Sequence, residues 1–196
     1  MSGGMDDVRE VLTYAKRSVL SSIQDMWRRK LGLSKENNDL AQELFSEFED
    51  LTRRSCGDWT ITWRQLADVA LVEEGSEDEK LVAPLLSAFY EPLTEELREG
   101  WIKFLKPWRS ELMNEGTDAQ QAAEQIRNEN PMFIPREWML VEAYKQADQN
   151  DFTLVHELYE LFKDPYGVNV DQALVDKYYR LAPKEAFTKI GTASMT

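Results

Sequence analysis

Two side chains in this sequence have the intrinsic reactivity of a nucleophile or a general base near neutral pH, and they stand far apart. Cys56 is the one cysteine and His156 the one histidine. Cys56 lies in Arg53-Arg54-Ser55-Cys56-Gly57-Asp58, where neighbouring guanidinium groups can lower a thiol pKa. A thiol nucleophile also needs a base within hydrogen-bond reach, and nothing in the sequence brings His156 there. Cys56 therefore reads as an incidental loop residue and His156 as a helix residue beside Val155 and Leu158. One His and one Cys exclude a thiolate or histidine-rich metal site and leave carboxylates for a hard cation. Asp148, Asp151 and Glu157 lie near one another but match no calcium-loop spacing, so capping and solvation are expected of them. With 36 acidic residues, no carboxylate pair stands out for acid-base work.

Phosphate chemistry finds no support in the motifs. The nine glycines are scattered and form neither a dinucleotide-type nor a Walker-type loop, and there is no nucleophile elbow. Trp101, Phe104 and Trp108 recur at helical spacing. Without phosphate-binding residues beside them, they read as core and not as a platform for a base. Arg136 is the one charged residue that asks for a specific partner. It follows Pro135 in the expected first turn of a helix, where a cation opposes the macrodipole, so a carboxylate or carbonyl should hold it. No catalytic, cofactor-binding or metal-binding residue is assigned.

The net charge of -13 argues against a general nucleic-acid binder, since phosphate neutralisation needs clustered Lys and Arg. Arg28-Arg29-Lys30 and Arg53-Arg54 are too short to change that and are expected to pair with nearby acids. The acidic surplus suits a basic partner. A single cysteine excludes an internal disulfide and fits an intracellular, reducing compartment. No apolar run approaches the roughly 20 residues that cross a bilayer, so no membrane partner is expected. The acidic start Met5-Asp6-Asp7 shows no signal or transit peptide.

The elements that must position these residues are helical almost throughout. Val8, Val11, Leu12, Ala15, Val19, Ile23, Met26 and Trp27 form one stripe, which Gly32 can close. Ser34 is a candidate cap for a helix through Leu40, Leu44, Phe45, Phe48 and Leu51. Thr60 or Thr62 can cap a third helix through Trp63 and Leu66, although the alternation there also permits a short extended piece. The acidic stretch 73–80 reads as a solvated loop. Leu81, Leu85, Leu86 and Phe89 suggest a short helix ended by Glu91-Pro92. From Thr94 a longer helix carries the three aromatics, with a kink expected at Pro107. Thr117 and Gln120 have capping-box spacing for a helix that stops at Asn130-Pro131. Later helices should hold Trp138, Val141 and Tyr144, then Val155, Leu158, Tyr159 and Phe162, and finally Asp171 to Arg180. The expected fold is an all-α, irregular multi-helix array. Its 196 residues form a single helical domain over 1–196 or a C-terminal fragment of a longer chain.

Landmarks in fixed order resemble the C-terminal region of the selenoprotein O (SelO) family of protein adenylyltransferases. They begin with Trp27 to Leu33, which is similar to the family's Lys-Leu-Gly-Leu segment, and continue through Asp58-Trp59-Thr60 and Trp63-Arg64. The strongest is Asn130-Pro131-Met132-Phe133-Ile134-Pro135-Arg136. Asp151-Phe152-Thr153 and Asp164-Pro165-Tyr166 follow at compatible spacing. Asn130, Pro131, Arg136, Asp151, Pro165 and Tyr166 are the family-marked residues, and a structural role is expected of them. Glu137 departs from the Asn common at that place.

The resemblance implies a kinase-like enzyme that binds ATP in an inverted orientation and, with Mg2+, transfers AMP to Ser, Thr or Tyr hydroxyls of protein substrates. The lysine, carboxylates and phosphate-covering loop that such chemistry requires lie N-terminal to the matched region in the family. On this reading the chain is the C-terminal helical portion, inactive alone, with the kinase-like core as its partner. The implied compartment is mitochondrial in a eukaryote and cytoplasmic in a bacterium. The family commonly ends in a redox-active Cys or selenocysteine; Gly191 to Thr196 contains neither, so no redox switch is expected in this tail. The alternative is a stand-alone helical interaction module without catalysis, which the genomic sequence upstream of Met1 would distinguish.

Overall fold

The computed structural model describes residues 3–33, 37–114, 116 and 118–188. Within them the helices are α1 (Gly3–Lys30), α2 (Asn38–Arg54), α3 (Trp59–Ala70), α4 (Asp78–Val82), α5 (Glu95–Asn114), α6 (Ala119–Glu129), α7 (Glu137–Ala147), α8 (Thr153–Leu161) and α9 (Gln172–Tyr178). Single 3-10 segments cover Ala83–Ala88 and Lys184–Thr188. No strand occurs among the described residues; Gly57 and Phe89 make one isolated antiparallel bridge. The fold is the all-α array that the helical periodicity implies.

The boundaries follow local chemistry, and several differ from expectation. Gly32, at φ +77, closes α1 as its left-handed C-terminal residue. The Leu33 amide reaches back to the Arg28 carbonyl and the Gly32 amide to that of Arg29, the paired bonds of a Schellman end. Ser34 lies outside the described residues; α2 is capped by Asn37, whose side chain accepts from the Leu40 amide at 3.1 Å. The cap of α3 is Asp58, accepting from the Ile61 amide at 3.0 Å, and not Thr60 or Thr62, which are buried inside the helix. A carboxylate one residue ahead of the apolar run outcompetes a hydroxyl within it, and the extended alternative is not adopted.

Thr117 also lies outside the described residues, and Asp118 caps α6 through the Gln121 amide at 2.8 Å. Pro135 precedes α7 and Arg136 occupies its N-cap position, one step earlier than expected. The acidic stretch is loop only through Glu77, since Asp78 opens α4, where carboxylates suit the helix N-terminus. The short helix expected near Leu81 splits into α4 and the 3-10 turn and ends at Ala88. Pro107 stands inside a continuous α5. The last helix is shorter than expected at both ends, with Asp171 its cap.

Burial forms two apolar clusters. The larger gathers Phe48, Trp63, Leu66, Trp101, Phe104 and Trp108 from α2, α3 and α5, and α6 closes it with Ala122, Ala123 and Ile126. The three aromatics of α5 are core, as expected, and their indole donors are satisfied: Trp101 bonds the Ser55 hydroxyl and Trp108 the Leu31 carbonyl, each at 2.9 Å. Almost every residue of α3 is buried, as befits a helix surrounded by others. The smaller cluster joins Phe133, Met139, Ala143, Leu158, Leu161 and Tyr178 of the α7, α8 and α9 region. Tyr179 packs against both.

Candidate functional site

Five of the six family-marked residues converge where the two clusters meet. Asn130, fully buried, ends α6 in an extended conformation, as a residue before proline must. Its amide nitrogen donates to the Lys30 and Ile126 carbonyls, each at 2.9 Å, and its carbonyl oxygen accepts from the Lys30 ammonium at 2.9 Å. One side chain thus ties the end of α1 to the end of α6. Burial lowers the Lys30 pKa, and the carboxylate of Glu129 works against that shift.

Arg64, from α3, spans the boundary. Its guanidinium donates to the backbone carbonyls of Arg127 at 2.5 Å, Asn130 at 2.8 Å and Tyr166 at 2.8 Å. Burial lowers its pKa from the usual range. The Pro165 carbonyl accepts from the amides of Met132 and Phe133, at 2.8 and 2.9 Å. Pro165 and Tyr166 therefore serve through their backbone, and Pro131 sits half-buried at the turn between.

Arg136 has the partner that its position calls for. Its guanidinium forks onto both carboxylate oxygens of Asp58, at 2.6 Å on one arm, and the pair is buried at 8% exposure on each side. The Arg180 carbonyl accepts from the same guanidinium at 3.4 Å. Asp58 is the residue that sequence reasoning passed over. Its signal was its place just before an apolar helical run, the mark of a capping carboxylate. Burial pushes the nearby Tyr90 phenol above its usual range, and its oxygen accepts from the Ala182 amide at 3.1 Å.

The remaining candidates lie apart from this seam. Asp151 precedes Phe152, the N-cap residue of α8, and its carboxylate accepts from the Thr153 amide at 2.9 Å. His156 is an exposed residue of α8, and Cys56 is exposed with φ +47. Arg53 and Arg54 pair with Asp50, and Arg54 also with Glu96; Arg28 and Arg29 pair with Asp25, and Arg29 with Glu129. These are the acidic partners expected of the short basic runs. Among the described residues, no three His, Cys, Asp or Glu side chains are grouped to hold a metal ion, and no helix is long and apolar enough to cross a membrane.

A surface groove of about 300 Å³ opens between α7, α8 and α9. Trp138 and Tyr178 stack along it, and the Arg180 guanidinium lies 4.9 Å from the Trp138 ring. Glu157 accepts from Lys177 at 2.5 Å and from the Tyr178 hydroxyl. Those two bonds hold the Glu157 carboxyl below its ordinary pKa. Within the groove Glu157 and Lys177 are thus paired with each other, and the Arg180 guanidinium donates to the Lys177 carbonyl at 2.9 Å.

Together these features define an all-α array in which buried polar side chains join separate elements. Residues 4–163 match the family described as protein adenylyltransferase SelO, and the chain belongs to that family. It is 30% identical over 183 residues to a protein nucleotidyltransferase YdiU of Vibrio vulnificus strain CMCP6, covering 91% of this chain and 34% of that protein. It is 28% identical over 196 residues to the YdiU of Flavobacterium johnsoniae, covering 97% of this chain and 36% of the relative. For the YdiU of Salmonella schwarzengrund the figures are 26% over 165 residues, with 83% and 31% covered. The chain spans about a third of the length of these curated relatives.

Proposed function

We propose that this chain is the helical scaffold of a SelO-type protein adenylyltransferase, which transfers AMP from ATP to Ser, Thr or Tyr hydroxyls of protein substrates. The lysine, the Mg2+-holding carboxylates and the phosphate-covering loop come from a kinase-like segment outside this chain. ATP and Mg2+ bind that segment, and the present helices support it.

The observation that carries this reading is the match to the SelO family over residues 4–163, in a chain that aligns with about a third of each relative. The use made of Asn130, Arg136, Pro165 and Tyr166 supports it, because each is spent on joining helices. The test is incubation of the purified chain with Mg2+, ATP labelled in its α-phosphate and a generic acceptor protein. No label should reach the acceptor, and strong labelling by the chain alone would place the chemistry here.

A further inference from the structure

We propose that the exposed apolar face of α1 is the seat on which the nucleotidyltransferase core of the family protein docks, through an apolar groove with one acidic margin. This rests on the scaffold reading above and adds the surface and its chemistry.

The anchored end of α1 is well packed: Trp27 stacks on Phe45 at 3.8 Å, and Lys30 holds Asn130. Residues 8–22 are exposed on every side, so no described element covers them. Val8, Leu12, Ala15 and Val19 nevertheless recur at four- and three-residue steps, with Val11 beside them, and Val8, Val11, Leu12 and Val19 are 56–65% exposed. At about 1.5 Å per residue the 28-residue helix is roughly 42 Å long, and more than half of it projects as an arm. Val8, Val11, Thr13 and Val19 are β-branched and favour a solitary helix poorly, so helix and apolar stripe both call for a partner.

The arm is not an appendage outside the family, because the family match begins at residue 4. The relatives carry about twice as much further chain as they share with this one. Charge separates that occupant from a second copy. Residues 8–22 hold Arg9, Lys16 and Arg17 against Glu10, a local +2 in a chain of -13. With Val8, Leu12, Ala15 and Val19 as the seam, Arg9 and Lys16 flank it on one side, and Val11 and Ser18 on the other. An antiparallel copy would set the basic flanks against each other, and a parallel copy would set them against Val11 and Ser18. Within residues 8–22 neither supplies the opposite charge that selects a helical partner. A groove edged by carboxylates does.

The test co-expresses the full chain with the part of the Vibrio vulnificus relative that this chain does not match, and measures copurification. A one-to-one complex is expected. The double variant V11E/V19E, which alters only exposed positions, should reduce recovery by about tenfold or more, because it would bury two unpaired charges. The variant Y144E, on the exposed face of α7, should leave recovery unchanged. Undiminished recovery with V11E/V19E, no complex with the unaltered chain, or an α1-dependent dimer of the chain alone would each overturn the proposal. AMP transfer is read separately. An α1-dependent complex that transfers no AMP defeats the functional reading and keeps the docking surface, whereas transfer that survives V11E/V19E does the reverse.

Discussion

Asp58 and Arg136, 78 positions apart in sequence, form a forked ion pair buried between the two apolar clusters. Asp58 also caps α3, and Arg136 stands at the N-cap of α7, so a single contact fixes how two helix starts face each other. Burying two charges is costly, and the geometry offsets that cost only while both partners stay.

Removing one partner should therefore cost far more than removing both. Arg136→Ala strands a buried carboxylate and should lose about 3 kcal/mol or more. For a chain of this size that corresponds to a melting temperature lower by roughly 10 °C. Asp58→Asn keeps a capping side chain and loses only the charge, so it should cost less than Asp58→Ala. Thermal melts of the single and double variants give the coupling, and additive losses would show that the pair does not act as a unit.

Asn130 should be nearly as sensitive without any charge. Asn130→Ala leaves the Lys30 carbonyl without its donor, while the backbone amide of residue 130 still serves the Ile126 carbonyl, a loss of about 2 kcal/mol. Asn130→Asp keeps the volume but replaces that donor with an acceptor, and should be no better tolerated. Urea unfolding midpoints measure both, and a fully stable Asp variant would contradict the hydrogen-bond assignment.

Two glycines with the same φ of +77 separate backbone from packing. A Cβ at Gly32 would lie 2.8 Å from Ile126 Cγ1, whereas one at Gly75 meets nothing within 4 Å. Gly75→Ala should cost about 1 kcal/mol for its left-handed backbone, and Gly32→Ala clearly more. Equal losses in urea titrations would mean that Ile126 gives way freely.

How much of this was legible follows the range of the forces involved. Periodicity exposed the helices and the burial of Trp101, Phe104 and Trp108, because amphipathic spacing is local. Gly32 as a helix end was visible for the same reason. The requirement that Arg136 find a carboxylate or carbonyl came from its place at a helix start. Its identity as Asp58 was not accessible, because only tertiary packing joins positions 78 apart. Caps were misassigned where several polar residues stood together: Asp58 rather than Thr60 or Thr62, and Asn37 and Asp118 as the described caps of α2 and α6. Periodicity also marked α1 as amphipathic, but it could not show that no other described element covers residues 8–22.

Acid should weaken the α8–α9 contact. The bonds from Lys177 and then Tyr178 lower the Glu157 pKa from its ordinary 4.5 in the folded chain. A carboxyl with a depressed folded pKa binds its proton more readily when unfolded. Its contribution is therefore complete above pH 4.5 and is lost as the pH falls through the lower, folded value. Glu157→Gln should flatten that part of the stability-versus-pH curve below 4.5 and leave the slope near neutrality unchanged. An unaltered acid limb in the Gln variant would show that other carboxylates carry it.

The scaffold reading meets its most direct test in the co-expressed pair, this chain with the unmatched part of the Vibrio vulnificus relative, supplied with Mg2+ and an acceptor protein. ATP labelled in either the α- or the γ-phosphate separates AMP transfer from phosphoryl transfer. The account predicts that the α-label reaches the acceptor, the γ-label does not, and this chain alone transfers neither. Transfer of the γ-label, or α-label transfer by this chain alone, would contradict it.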